Sequence, residues 1–221
     1  MKYFLFLLIL FNTSTGCAQN NADNKKSEKD TFIGGRCEGC EAIYESPVPF
    51  DKLKHADTLP DFYEPGPKIG ISGIVYQRDG KTPAADVVLY IYHTNQSGIY
   101  PKKGNETGWG KRHGYIRGWV KTDKNGFYQF YTLKPASYPT RTDPAHIHIT
   151  IKEPGKNEYY LDDYYFDEDP LLTQTNRKKL QHRGGNGILR LQLQSNGILH
   201  GTRHIVLGEN IPEYSYEGLK N

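Results

Sequence analysis

Residues Lys134–Ile151 read KPASYPTRTDPAHIHITI. From His146 onward the run alternates His–Ile–His–Ile and is rich in β-branched side chains, the pattern of a strand with two unlike faces. Successive strand residues point to opposite sides of a sheet. His146 and His148 therefore share one face, about 6–7 Å apart along the strand, while Ile147 and Ile149 enter an apolar layer on the other. Eight residues before His146, Tyr138 stands in a proline-flanked loop that can fold back over the same strand.

The surrounding sequence has the same texture. IGISGIVY (69–76) and VVLYIYHT (87–94) are apolar and β-branched, with Arg78–Asp79–Gly80 as the turn between them. HGYIRGWVKT and FYQFYTL flank Asp123–Lys124–Asn125–Gly126, a tight hairpin turn. GILRLQLQ (187–194) and HGTRHIVL (200–207) are further strands, and EYYLDDYYFDEDP (158–170) holds a short one before an acidic loop. The only helical candidate is Pro170–Gln181, which is polar. A count of 17 Tyr and 23 Gly against one Met agrees with sheet and turns rather than a helical bundle. The expectation is an all-β chain, an antiparallel β-sandwich over 69–208, with an irregular arm over 34–68 and a tail from 209 to 221.

The amino terminus speaks to location. MKYFLFLLILFNTSTGC has one lysine, an apolar run too short to span a bilayer of about 30 Å, and small residues before Cys17. Residues 1–17 read as a signal peptide, and Gly16–Cys17 resembles the bacterial lipoprotein box. Lipidation of Cys17 is the preferred reading and plain secretion the alternative; both put the mature chain outside the cytoplasm. Residues 18–33 are polar and charged and read as a disordered tether. Cys37 and Cys40 form a Cys-x-x-Cys, open to a redox pair, half a zinc site or a local disulfide. The disulfide is preferred in an oxidising compartment. A net charge of +3, without a Lys/Arg run or an aromatic RNA-binding signature, argues against a nucleic-acid partner.

Two neutral imidazoles on one strand face can converge on a single ion. Tyr138 and Tyr100, which closes QSGIY at the end of an apolar strand, offer phenolates. Phenolate is a hard, electron-rich donor, and a trivalent cation lowers the phenol pKa far below its usual value of about 10. Two phenolates with two imidazoles suit Fe(III) better than zinc or Fe(II). A zinc site using the histidines alone would leave both tyrosines without a role.

Taken in order, ISGIVY, TPAADVVLYIYHTNQSGIY, IRGWVKTDKNGFYQFYTLKPASYP and PAHIHITI resemble the intradiol ring-cleavage dioxygenases, over about Ile69 to Pro170. The resemblance implies a β-sandwich holding a non-haem ferric ion. It implies Tyr100, Tyr138, His146 and His148 as ligands, a catechol and O2 as substrates, and Tyr138 as the ligand that yields to substrate and takes its proton. Two positions depart from the family pattern. Asp143 stands where an arginine is common, and Asp163 where a glutamine is often found. Arg141, three residues after Tyr138, is the candidate to stabilise charge on the reacting ring in place of that arginine. The competing expectation keeps the sandwich and discards turnover, leaving a module that binds catechols or catecholate compounds. His113 is weighed as lining a pocket mouth and reads rather as part of a solvated turn; the acidic run 162–170 is weighed as a calcium site and reads rather as a solvated loop. The oligomeric state is left open.

Overall fold

The computed structural model describes Met1 and residues 32–215; the leader, Cys17 and all but the last two residues of the tether lie outside the described residues. Two six-stranded sheets face each other. One is built on β2 (Lys68–Tyr76) and β5 (Phe127–Leu133), antiparallel with Ile71 opposite Phe130. Shorter strands extend it: β1 (Ala56–Thr58) beside β5, and β11 (Leu199–Thr202), β10 (Gln192–Leu193) and β12 (Ile205–Val206) on the β2 side. The other sheet runs β4 (Arg117–Lys121), β3 (Val88–His93), β6 (His146–Lys152), β8 (Tyr164–Phe166), β9 (Ile188–Leu189), with β7 (Glu158–Tyr160) also on β6. The long central pairs are antiparallel, as expected for a sandwich. The sheets are nonetheless mixed, because β1, β11, β12 and β9 each join a neighbour in parallel.

Period-two alternation builds the core. Ile147, Ile149 and Ile151 from β6 and Leu89 and Ile91 from β3 meet Ile69, Ile71 and Val75 from β2 and Phe130 from β5, all essentially without solvent exposure. Each such side chain contributes roughly 1.5–3 kcal/mol by leaving water. Among the described residues α-helix is confined to two four-residue turns, α1 (Gly110–His113) and α2 (Gln174–Arg177). The helix expected over Pro170–Gln181 shrinks to α2, capped by the Thr173 hydroxyl accepting from Asn176 N–H.

The arm has more structure than its sequence suggests. It forms 3-10 turns at Cys40–Glu45 and Phe50–Lys52 and contributes β1 to a sheet. Ala42 and Ile43 bury against Val88, Tyr90 and Trp119, and Trp119 Nε1 donates to the Ile43 carbonyl at 2.9 Å. These packed residues cover the outer face of β3 and β4, the face that the histidines share on β6. Cys37 and Cys40 are joined by a disulfide with Cα atoms 5.7 Å apart. The tail packs as well: Ile211 is buried, and Tyr214 donates to Glu153 at 2.8 Å. Among the described residues no helix is long and apolar enough to cross a membrane.

Candidate metal centre

At the start of β6 the alternation sends Ile147 inward and His146 and His148 to the outer face, both half-buried. Tyr100 comes from the loop after β3, and Tyr138 from the loop between β5 and β6. The two loops are stitched together. Thr94 Oγ1 donates to the Ala136 carbonyl at 2.7 Å, and Ala136 N–H donates to Asn95 O at 3.2 Å. Gly98 lies in the left-handed region (φ +73°), and a Cβ there would sit 2.0 Å from the Ser137 carbonyl oxygen. Only glycine permits that approach.

The result is a compact knot of four donor atoms. The Tyr100 hydroxyl is 2.6 Å from that of Tyr138 and 2.8 Å from His148 Nε2. The Tyr138 hydroxyl is 3.2 Å from His146 Nε2 and 3.3 Å from His148 Nε2. The two Nε2 atoms are themselves 3.2 Å apart. Each imidazole is engaged on its far side. His146 Nδ1 donates to the Pro144 carbonyl at 2.7 Å, and His148 Nδ1 to Asp163 Oδ1 at 3.1 Å. A carbonyl or carboxylate oxygen can only accept, so the proton of each ring is on Nδ1 and both Nε2 atoms present lone pairs. Each lone pair has a phenol hydroxyl beside it, so the four atoms can be satisfied by two O–H donors or by one cation that replaces those protons. Two neutral imidazoles and two phenols converging on one point make a donor set that fits a metal ion, and the two phenols favour a hard, trivalent one.

The electrostatics agree. Burial raises the Tyr138 phenol, with the carboxylates of Asp163 and Asp143 adding to the effect. Burial likewise raises Tyr100, as do the Tyr138 hydroxyl and nearby acids. Burial lowers His146, holding it neutral. Without a strong cation both tyrosines stay protonated.

Asp163 occupies a different place from the one its sequence position suggests. It stands behind His148, away from the knot, and orients that ring in the way carboxylates fix metal-bound histidines. Burial pushes its carboxyl up, but the imidazoles of His148 and His146 and the Arg203 guanidinium outweigh this and hold it below the usual range. Asp143 is exposed and accepts from the Thr142 hydroxyl at 2.9 Å. Arg141 is exposed with φ +53°; its backbone N–H donates to the Tyr138 carbonyl at 2.8 Å. Its guanidinium makes no ion pair or hydrogen bond among the described residues.

Two aromatic residues beside the knot carry little sequence signal. Tyr92 faces His148 across the strand pair and stacks on it with centroids 4.5 Å apart. His113 stacks on Tyr92 at 3.8 Å and meets the Tyr90 hydroxyl at 2.8 Å. The expected solvated turn is therefore corrected: His113 is buried between Tyr92 and Trp109. The acidic run is not free in solvent either, since Asp167 pairs with Arg177 and Arg190 and Asp169 accepts from Ala145 N–H. Beside His148 lies an open cavity of about 520 Å3, with Tyr92, His148 and Asp163 on its floor and Arg36, Gly39 and Lys179 among its walls.

A family model described as dioxygenase matches residues 43–183, more than half of the chain. Among curated relatives, the protocatechuate 3,4-dioxygenase beta chain of Burkholderia cepacia is 28% identical over 113 residues, covering 48% of each chain. The catechol 1,2-dioxygenase 1 of Acinetobacter lwoffii is 29% identical over 138 residues, 55% of this chain and 42% of that one. The chain thus spans about half or less of the length of these relatives. Among solved structures, the dioxygenase domain of a dioxygenase carbohydrate-binding protein fusion from Streptomyces sp. SirexAA-E aligns with a TM-score of 0.52 at 23% identity, covering 73% of this chain and 94% of that one. A catechol 1,2 dioxygenase from Acinetobacter radioresistens aligns at 0.53 and 17% identity, covering 75% and 61%. These structural likenesses speak for the fold. On the family match and the fold together, the chain belongs to the intradiol ring-cleavage dioxygenase family.

Proposed function

We propose that this protein is a ferric intradiol dioxygenase that opens the ring of small catechols with O2, working outside the cytoplasm as a lipid-anchored or secreted protein. The observation that carries the reading is the meeting of Tyr100, Tyr138, His146 and His148, drawn from two loops and one strand, with neighbouring donor atoms 2.6–3.3 Å apart. These four residues would hold the ion. A bound ferric ion would supply the Lewis acidity that lets a catechol lose its protons and react with O2.

The chain supplies position and proton traffic. Asp163 keeps the His148 Nε2 lone pair aimed at the knot. The Pro144 carbonyl does the same for His146. Tyr138, on a loop whose tip is exposed, is the phenol best placed to move, and its oxygen takes a catechol hydroxyl proton. Tyr100 is fixed by its stitched loop and stays. Arg141, three residues beyond Tyr138, stabilises negative charge on the ring once substrate is seated. Both oxygen atoms of O2 enter one product, a dicarboxylic acid opened between the two hydroxylated carbons.

Oxygen uptake by the iron-loaded protein tests this. One O2 consumed per catechol, with a ring-opened diacid as product, is expected. Arg141→Ala should abolish turnover and keep the ferric colour; full turnover in that variant would remove the role. The second reading, a catechol-binding module without turnover, is favoured by the solvent exposure of Arg141 and by the acid at position 143. It predicts a colour change on adding catechol with no oxygen consumed.

A further inference from the structure

The hydrogen bond from His148 Nδ1 to Asp163 fixes one edge of that imidazole but leaves its plane able to tilt about the bond. The plane is set from its face. Tyr92 lies against the His148 ring with centroids 4.5 Å apart and planes 24° apart. His113 in turn stacks on Tyr92 at 3.8 Å and 8°, and Trp109 on His113 at 5.3 Å and 30°. The Tyr90 hydroxyl, 2.8 Å from His113 Nδ1, ties the row to β3. His113 touches no donor atom of the knot, yet it is buried at the point on which the row rests.

The arm grips this row from outside. Gly39 has φ +86°, and a Cβ there would lie 3.0 Å from His113 Nε2, so the arm backbone packs directly on that ring. The arm is also joined to the segment that carries His113. Glu38 pairs with Arg112, and Glu45 Oε1 accepts from Trp109 N–H at 2.7 Å. The Cys37–Cys40 disulfide closes the loop around Gly39. Cys40 is buried, with the Thr150 hydroxyl 3.7 Å from its sulfur. Thr150 stands on β6 two residues past His148, and therefore on the same face. Residues 37–40 lie ahead of residue 43, where the family match begins.

We infer that His113 is a positioning residue for His148, and that the disulfide loop Cys37–Cys40 holds it against Tyr92, so that the state of the disulfide sets how firmly the centre keeps its ion. This rests on the ferric reading of the four donors and goes beyond it by assigning a brace to residues that touch none of them. A disulfide narrows the conformations open to a loop. Opening it releases Gly39 from His113, the Tyr92 plane loosens, and the His148 lone pair loses its aim. The coupling is mutual: a bound ion makes the disulfide harder to reduce by the same factor.

In the test, the full chain loaded with Fe(III) meets excess chelator, and release is followed by loss of the phenolate-to-iron absorption. Unfolding temperatures of the metal-free forms are measured alongside. Cys37→Ala with Cys40→Ala should release iron about tenfold faster, and so should His113→Ala. Combining all three substitutions should add less than about twofold, because both changes break one path. Thr132→Val, which destabilises the fold away from the row, should release iron at the unaltered rate. Unchanged release in the cysteine pair or in His113→Ala overturns the proposal, as do effects that multiply in the combined variant. Equal acceleration in Thr132→Val reduces the effect to lost stability and overturns it as well. Reducing the disulfide of the unaltered chain gives the same comparison without a substitution, with Ga(III) as the ion because a reductant leaves its charge unchanged. Release no faster than from the oxidised form again overturns the proposal. An unaltered chain that takes up no Fe(III) removes the ferric reading itself, and the brace with it.

Discussion

Two clusters of histidine and hydroxyl groups lie near each other in this fold, and their chemistry is opposite. In the first, His93 Nδ1 donates to the Thr94 carbonyl at 2.8 Å, and the Thr132 hydroxyl bridges His93 Nε2 and Asp61 Oδ1 at 2.7 Å each. Leu133 N–H donates to the other Asp61 oxygen at 3.3 Å. The single hydrogen of the Thr132 hydroxyl is donated to Asp61 Oδ1, and the cluster ties one sheet to the other. In the second, at Tyr100, Tyr138, His146 and His148, two Nε2 lone pairs and two phenol oxygens converge on one point and the far side of each ring is already used. A histidine held in a chain of single partners is structural; two that aim lone pairs at one point beside two phenols form a donor set that a cation can fill.

Substitutions can break this contrast. The largest effect is expected from His148→Ala or Tyr100→Phe, which should lower turnover to background and deplete iron, read by metal analysis and oxygen uptake; normal iron content would remove these residues from the ligand set. Asp163→Asn comes next. Loss of the carboxylate behind His148 should weaken iron binding about 10–100-fold, as outer partners of metal-bound histidines do, measured by chelator competition. Thr132→Val should leave iron in place and destabilise the fold by about 1–3 kcal/mol, the usual cost of stranding a buried polar group. Iron loss there would mean that the first cluster serves the second.

The smallest effect is a pH dependence of stability. Burial lowers both His93 and His113 to about 4. The unfolded chain takes up protons as pH falls through about 6.5, while the fold refuses them until about 4. Stability therefore declines between those values, by up to about 2 kcal/mol per imidazole at pH 5, and is insensitive to these groups above about 7. Asp61, raised by burial, offsets part of the decline. Thermal unfolding at pH 7.5 and pH 5 should show it, with a shallower slope in His113→Gln; equal slopes would assign the dependence elsewhere.

What could be read from the chain in advance follows the range of the interactions. Period-two alternation placed His146 and His148 on one face because it needs only adjacent residues, and the four residues of the knot carried short motifs. The layers of the sandwich followed from the same alternation in β2, β3, β5 and β6. The arm was opaque, since 3-10 turns and a three-residue strand are too short to leave a periodic signal. The role of Asp163 depends on a partner 15 residues away on another strand, and the stacking of Tyr92 and His113 on a register that no local pattern records. Arg141 was legible only through its spacing from Tyr138; the structure adds that it is exposed with φ +53°.

The most direct measurement is the metal content and visible spectrum of purified protein offered Fe(III) and Zn(II) together. The account predicts one ferric ion per chain and a wine-red phenolate-to-iron absorption that weakens in Tyr100→Phe and in Tyr138→Phe. A colourless protein carrying zinc, with a spectrum indifferent to either tyrosine, would contradict it.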